Sequence, residues 1–163
     1  MTPFEPCQLL LLRHGIAADP APGQADAERP LTEAGRRRTS AVLQRLVQLD
    51  WGCDRLLSSP LLRAQQTAEL ALAAGLAPQL ELAQALAPGG EAPALLRTLQ
   101  GHGVSWRRLA LVGHEPDLST LAADLIGASP GSLQLKKAGV ALLEWSPAGW
   151  QLLVLATPRL LVQ

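Results

Sequence analysis

Short apolar runs alternate with stretches of amphipathic helical spacing along the chain, and this alternation predicts its fold. Four consecutive leucines, Leu9 to Leu12, fit a buried strand. The predicted strands are residues 9–12, 54–57, 79–82, 109–112, 140–145 and 150–156, and the predicted helices are 33–49, 60–74, 92–100 and 117–126. Alternating strands and helices indicate a parallel sheet covered on both faces, and the last two strands indicate a hairpin. We therefore expect a three-layer α/β/α sandwich with a mixed, mostly parallel central sheet, formed by a single domain of residues 1–163.

Local signals locate the ends of the first two helices. Thr32 suits the N-cap of the first helix, and Ser59 suits the N-cap of the second, with Pro60 at its first position and Gly75 just beyond its end. The apolar spacing also predicts which residues face the core. These are Ala34, Val42, Leu43, Leu46 and Leu49 in the first helix, and Leu61, Ala64, Ala68 and Leu72 in the second.

The composition limits the class of protein. The 14 lysine and arginine residues balance 14 aspartate and glutamate residues, and the chain of 163 residues has one Phe and no Tyr. It therefore has neither the positive field nor the stacking surface typical of nucleic-acid binding. No apolar run approaches the roughly 18 residues of a membrane span, and the first residues do not resemble a signal peptide. We expect a cytoplasmic monomer that binds neither nucleic acid nor membrane, and we assign no role to Cys7 or Cys53.

A long connection follows the first strand. Residues 16–30 are rich in Ala, Asp, Pro and Gly without periodicity, which predicts a loop over the C-terminal end of that strand. Loops of about 15 residues are often functional. Arg36, Arg37 and Arg38 then lie near the start of the first helix. We expect them to face water, and the alternative is contact with an acidic partner.

Cationic and nucleophilic side chains follow three of the predicted strands. Arg13 and His14 follow the first strand, Arg63 follows the second, and His114 follows the fourth. The C-terminal ends of parallel strands meet at one edge of a sheet, where α/β proteins bind ligands. Arginine donates fork-shaped pairs of hydrogen bonds to phosphoryl oxygens, and a neutral histidine can attack phosphorus. The residues therefore predict phosphoryl transfer without a metal or other cofactor, since no cluster of Asp, Glu and Cys offers metal ligands.

Four segments in order resemble the histidine phosphatase superfamily, whose fold is called phosphoglycerate mutase-like. They are Arg13-His14-Gly15, Arg29-Pro30-Leu31-Thr32-Glu33-Ala34-Gly35, Ser59-Pro60-Leu61-Leu62-Arg63-Ala64-Gln65-Gln66-Thr67 and Gly113-His114. Within this superfamily the chain is most similar to the short SixA type of phosphohistidine phosphatase. The resemblance implies that His14 becomes phosphorylated and that Arg13 and Arg63 hold the phosphoryl oxygens. It further implies that His114 stabilises the transition state, with Gly15 also at the phosphate.

Two departures from relatives of that family bear on the substrate. Relatives that act on small sugar phosphates usually have a polar residue where this chain has Ala17, together with a segment that covers the pocket. The short chain implies an open site, which favours a phosphate carried on a protein. Many relatives also have a glutamate that protonates the leaving alkoxide, whereas the aligned residues 83–88 contain no acid. Glu81, Glu91 and Asp19 are the candidates for that acid.

Three hypotheses follow from the sequence. The leading one is a hydrolase that removes the phosphoryl group from phosphohistidine on a protein, such as the histidine-containing carrier of a phosphorelay. A neutral imidazole, whose conjugate acid has a pKa of about 6.5, can leave without the missing acid. The second is a phosphatase of broad specificity for small phosphomonoesters. The third is a non-catalytic module that binds phosphate, which the presence of His14 beside both arginines disfavours.

Overall fold

A six-stranded mixed sheet runs through the centre of the computed structural model, which describes residues 7–101 and 106–162. Its strands are β1 (Cys7–Arg13), β2 (Arg55–Ser58), β3 (Leu80–Leu82), β4 (Arg108–Gly113), β5 (Val140–Ser146) and β6 (Gly149–Ala156). The strand order is β3-β2-β4-β1-β5-β6. Neighbours among the first four are parallel, whereas β5 pairs antiparallel with both β1 and β6. The predicted mixed, mostly parallel sheet is confirmed, including its terminal hairpin.

Helices cover both faces of the sheet, as predicted. They are α1 (Glu33–Gln48), α2 (Leu62–Ala73), α3 (Ala92–Gly101), α4 (Asp117–Ile126) and the short α5 (Pro158–Leu161). Alternate residues of β1 serve the two sides, since Leu10 and Leu12 pack with α1 and α2, and Leu9 and Leu11 pack with α3 and α4. This alternation explains why Leu9 to Leu12 form an unbroken apolar run in β1, because the middle of a strand between two layers of helices has no exposed face.

The predicted helix ends are right to within about two residues, but three inward positions are wrong. Thr32 caps α1, and its Oγ1 accepts a hydrogen bond from the backbone N of Gly35 at 2.9 Å. Pro60 lies before α2 rather than in its first turn. The structure exposes Ala34, Leu49 and Leu72, which the spacing placed in the core. Ala34 and Leu49 lie at the ends of α1 and Leu72 lies near the end of α2, where fewer neighbours cover each helix.

The structure also bears on the cysteines and on the expected absence of a membrane span. Cys7 and Cys53 are both free thiols, and burial raises the pKa of Cys53 to about 12, so this thiol is not a nucleophile at neutral pH. Among the described residues no helix has the length and apolar character needed to cross a bilayer. Residues 1–6, on which the expectation about a signal peptide rests, lie outside the described part of the chain.

Candidate active site

A cavity of about 390 Å³ opens at the C-terminal edge of the three neighbouring parallel strands β1, β4 and β2. It is lined by Arg13, His14, Ala17, Asp26, Arg29, Arg63, Pro88, His114, Glu115 and Lys137. All four side chains predicted from the strand ends therefore lie in one cavity. The parallel order of the strands is the reason, because it brings three separate segments of the chain to the same edge.

The segment after β1 is fixed by a hydrogen bond from the backbone of Gly15 and lies too close to α1 for a larger residue at that position. The backbone N of Gly15 donates to Thr67 Oγ1 at 3.0 Å, and that hydroxyl donates to the carbonyl oxygen of Arg63 at 2.8 Å. A Cβ at position 15 would collide with Thr39 Oγ1. Gly15 therefore lets the chain pass close to α1 and links the segment that carries His14 to the helix that carries Arg63.

His14 is held as a neutral imidazole with a defined tautomer. Its side chain is only 7% exposed, and its Nδ1 lies 2.7 Å from the carbonyl oxygen of Gly15. Because a carbonyl oxygen only accepts hydrogen bonds, Nδ1 carries the proton and Nε2 has the free electron pair. Burial lowers the pKa of His14 to about 3, and His114 and Arg63 act in the same direction. The Nε2 atom is thus available as a nucleophile at neutral pH.

His114 lies beside His14 and is also buried. The two ring centroids are 5.2 Å apart, and His114 Nε2 shares a hydrogen bond of 2.7 Å with Ser59 Oγ. Burial lowers the pKa of His114 to about 4, with Arg63 acting in the same direction. Its Nδ1 atom is buried and has no partner among the described residues. The sequence placed Ser59 as the N-cap of α2, which is wrong, since the N-cap is Leu61; Ser59 instead orients a ring that lines the cavity.

The two arginines have donors left over for a ligand. Arg63 is almost fully buried, and its guanidinium donates to the carbonyl oxygen of Asp26 at 2.9 Å and to its carboxylate at 3.1 Å. Arg13 donates from Nη1 to the carbonyl oxygen of Leu135 at 2.9 Å. The Nε atoms of both arginines are buried without a protein partner within the described ranges. Buried N–H donors without acceptors are costly, and an oxyanion at this position can satisfy them.

The long loop after β1 brings three of the lining residues, Ala17, Asp26 and Arg29, to the cavity. Ala17 and Leu31 form an isolated antiparallel bridge that closes the loop. Between them, Arg29 donates from Nε to the Asp26 carboxylate at 2.8 Å. This hydrogen bond, together with nearby Arg63, lowers the pKa of Asp26, so its carboxylate stays ionised at neutral pH. The predicted loop is confirmed, but the lining role of Asp26 was not predicted, since nothing in its local sequence indicates a long-range partner.

Glu115 is a second lining residue that the sequence analysis missed. One carboxylate oxygen accepts from the backbone N of Ser119 at 3.0 Å and the other from the backbone N of Leu135 at 3.2 Å. Since the carbonyl oxygen of Leu135 accepts from Arg13, Glu115 ties the N-terminal turn of α4 to the backbone that holds an arginine of the cavity. Its position directly after His114 was the available signal.

The three acids considered from sequence are not among the residues that line the cavity. Glu81 lies in β3, and its carboxylate accepts three hydrogen bonds from Arg55, at 2.9, 2.9 and 3.2 Å. Glu91 and Asp19 are likewise absent from the lining. Asp26 and Glu115 are the acids that line it. Arg29 and Arg63 keep the Asp26 carboxylate ionised, and both oxygens of Glu115 are occupied as acceptors of backbone N–H groups.

The arrangement as a whole suits a tetrahedral oxyanion. It combines a neutral histidine with a free electron pair on Nε2, guanidinium donors and a second neutral histidine within one cavity. No group of three or more His, Cys, Asp or Glu side chains in the described ranges is placed to hold a metal ion. The groups present can therefore supply a nucleophile and hydrogen-bond donors to a phosphoryl group.

The chain is similar in sequence or in fold to several known proteins. The sequence model of the histidine phosphatase superfamily (branch 1) matches residues 9–87. An uncharacterized protein of Picosynechococcus sp. is 47% identical over 135 residues, which cover 82% of each chain. A structure of the protein histidine phosphatase SixA complexed with tungstate has a TM-score of 0.83 and 28% identity, covering 94% of this chain and 99% of the other. A candidate SixA phosphohistidine phosphatase from Agrobacterium tumefaciens has a TM-score of 0.80 and 24% identity, with coverage of 94% and 99%.

Proposed function

The chain belongs to branch 1 of the histidine phosphatase superfamily, and we propose that it hydrolyses phosphohistidine on a protein through a covalent phospho-His14 intermediate. Membership of the superfamily makes it a hydrolase of phosphoryl groups. The choice of phosphohistidine rests on one observation in particular. The two acids that line the cavity are both held as acceptors, so neither is set to protonate a leaving group.

In the first step of the proposed reaction, His14 takes the phosphoryl group. The electron pair of His14 Nε2 attacks phosphorus, and the bond between phosphorus and the substrate nitrogen breaks with its electrons going to the substrate. Arg13 and Arg63 donate hydrogen bonds to the oxygens of the transferring group, which stabilises the charge that they carry in the transition state. The proton on His14 Nδ1 stays on the ring and is donated in a hydrogen bond to the carbonyl oxygen of Gly15, which stabilises the positive charge that the ring gains when Nε2 bonds to phosphorus.

The leaving group is where the missing acid matters. When the substrate is a phosphohistidine whose other ring nitrogen carries a proton, the imidazole leaves as a neutral molecule. A serine or sugar hydroxyl leaves instead as a strongly basic alkoxide and needs a proton from the enzyme. Because Asp26 and Glu115 are not placed to supply it, the cavity is better matched to cleavage of a P–N bond than of a P–O bond.

In the second step, water attacks the phosphorus of phospho-His14. The P–N bond to Nε2 breaks, its electrons return to the ring, and inorganic phosphate leaves after the attacking water has lost a proton to solvent or to phosphate. His114 lies 5.2 Å from the His14 ring between centroids and is fixed by Ser59. We assign it to hydrogen bonding with the phosphoryl oxygens in both steps.

Two further observations support this proposal. The SixA structure of high similarity holds tungstate, a tetrahedral oxyanion, and its name specifies a protein histidine phosphatase. The apolar Ala17 lines the cavity of this chain, where a polar residue would help to recognise a small sugar phosphate. The cavity of about 390 Å³ is nevertheless large enough for a small ligand, so a phosphatase of small phosphomonoesters is the alternative to test.

The test compares substrates that differ in the leaving atom. A histidine carrier domain phosphorylated on histidine, a phosphoserine peptide and a panel of phosphorylated metabolites are incubated in parallel with the protein, and kcat/KM is measured for each. We expect the phosphohistidine domain to have the highest kcat/KM and an acid-labile phosphoenzyme to be trapped on His14. The variant His14→Ala should lose at least about a thousandfold in rate and form no phosphoenzyme.

Arg97→Gln is the control for this experiment, because Arg97 is exposed on α3, away from the cavity, and the variant should keep wild-type kinetics. Turnover of one metabolite at a higher kcat/KM than the phosphohistidine domain would replace the proposal with the alternative. Full activity in His14→Ala would refute the covalent mechanism itself.

A further inference from the structure

A second groove lies next to the cavity and is not used by the chemistry above. We call it the basic groove, and its volume is about 470 Å³. It is lined by Arg13, Ile16, Arg38, Lys136, Lys137, Thr157, Pro158 and Arg159. These residues come from the end of β1, from α1, from the segment before β5 and from α5, so four separate parts of the chain build its walls.

The charge of the basic groove is one-sided although the whole chain is neutral. Five of its eight lining residues are Lys or Arg and none is Asp or Glu, whereas the chain has 14 of each class. Arg38, Lys137 and Arg159 are exposed and make no ion pair within the described ranges. A concave surface lined by charges of one sign attracts ligands of the opposite sign.

The basic groove adjoins the cavity, because Arg13 and Lys137 line both spaces. A substrate that extends from the cavity past these two side chains reaches the groove. Ile16 and Pro158 add apolar surface between the cations. A small phosphate ester fills only the cavity, and only a substrate that extends away from its phosphoryl group reaches Arg38 or Arg159.

We propose that the basic groove binds an acidic segment of the protein substrate that lies next to the phosphorylated histidine. This inference rests on the proposed function and adds to it the class of sequence that the site selects. Opposite charges at the edge of an interface accelerate association and select partners, and their effect weakens as salt screens them. The acidic partner considered for Arg36, Arg37 and Arg38 from sequence is thereby assigned to Arg38, the member of that run that lines the groove.

Peptide pairs test the inference independently of the proposed function. Each pair shares one phosphohistidine, with four glutamates beside it in one peptide and four glutamines in the other. Wild-type protein should hydrolyse the glutamate peptide with a kcat/KM about tenfold higher, chiefly through a lower KM, and the ratio should approach one at high salt. Free phosphohistidine, which has no flanking residues, serves as the reference substrate.

A charge exchange supplies the specific test. In the variant Arg38→Glu/Arg159→Glu the preference should reverse, so that a peptide with four lysines beside the phosphohistidine becomes better than the one with four glutamates. The rate with free phosphohistidine should not change, because neither residue lines the cavity. Arg97→Glu/Arg107→Glu is the matched control, because it makes the same change in net charge away from the groove. Arg97 lies on α3, Arg107 lies just before β4 at the N-terminal ends of the parallel strands, and both are exposed.

The outcomes separate the two proposals. If wild-type protein hydrolyses all phosphohistidine peptides and free phosphohistidine equally well, the acidic-segment inference is wrong and the proposed function stands. If the control pair changes the preference as much as Arg38→Glu/Arg159→Glu does, the effect comes from net charge and the inference is also wrong. If none of the phosphohistidine substrates is hydrolysed, the proposed function itself fails.

Discussion

Acidification should destabilise this protein because two of its histidines are kept neutral when it is folded. Burial lowers the pKa of His14 to about 3 and that of His114 to about 4, whereas an unfolded histidine has a pKa of about 6.5. Below pH 6.5 the unfolded chain therefore binds protons that the folded protein does not bind. The free energy of unfolding must fall as the pH drops through 6.5, and it continues to fall until the folded-state pKa values are reached.

The interval from pH 7 to pH 5 isolates this effect. At pH 5 an unfolded histidine with a pKa of about 6.5 is almost fully protonated, and each histidine that stays neutral in the folded state costs about 2 kcal/mol over the interval. His14 and His114 together predict a loss of about 4 kcal/mol. Carboxyl groups contribute little here, because those of an unfolded chain titrate around pH 4.

Urea denaturation at pH 7 and pH 5, followed by the fluorescence of the four tryptophans, measures the loss directly. The variants His14→Gln and His114→Gln should each show about half of the wild-type loss, whatever their stability at pH 7. The difference between the wild-type loss and the loss of each variant isolates the contribution of the one histidine that was replaced. A wild-type loss below about 1 kcal/mol, or an unchanged loss in both variants, would show that the histidines are not held neutral.

Two further substitutions test contacts around the cavity. Gly15→Ala should reduce the free energy of unfolding by about 1–3 kcal/mol because its Cβ meets Thr39 Oγ1, and urea denaturation should show part of that loss recovered in Gly15→Ala/Thr39→Ala. No recovery would mean that the crowding lies elsewhere. Glu115→Gln should cost about 1–3 kcal/mol because an amide offers one acceptor oxygen to the two N–H donors of Ser119 and Leu135. The exposed Asp124→Asn makes the same charge change and should stay within about 0.5 kcal/mol of wild type, and equal losses in the two would contradict this assignment.

The part of the site that lies on regular structure could be predicted from sequence. His14 and His114 each come at the end of an apolar run whose length fits a buried strand, and because those strands are parallel their C-terminal ends lie at the same edge of the sheet. The same reasoning predicts the position of Arg63, which lies in the helix that comes directly after β2. Each of these predictions needs only a local pattern and one general property of parallel sheets.

The rest of the lining depends on contacts between distant residues. Asp26 reaches Arg63 because a backbone bridge between Ala17 and Leu31 closes the loop, and a backbone bridge has no signature in side-chain pattern. Glu115 reaches Leu135 across 20 positions of sequence. Such contacts bear on whether a carboxylate can act as an acid, and they are visible in the structure but not in the sequence.

The net charge of the cavity lining depends on whether its two histidines are neutral or protonated. The lining carries four cations and two carboxylates, which leaves two positive charges when both histidines are neutral. A phosphoryl group with close to two negative charges matches this balance. Protonation of His14 would increase the attraction for phosphate but would remove the electron pair that, in the proposed reaction, attacks phosphorus. The burial that is expected to make the folded protein sensitive to acid is therefore the same property that the proposed mechanism needs to keep His14 Nε2 free among four cations.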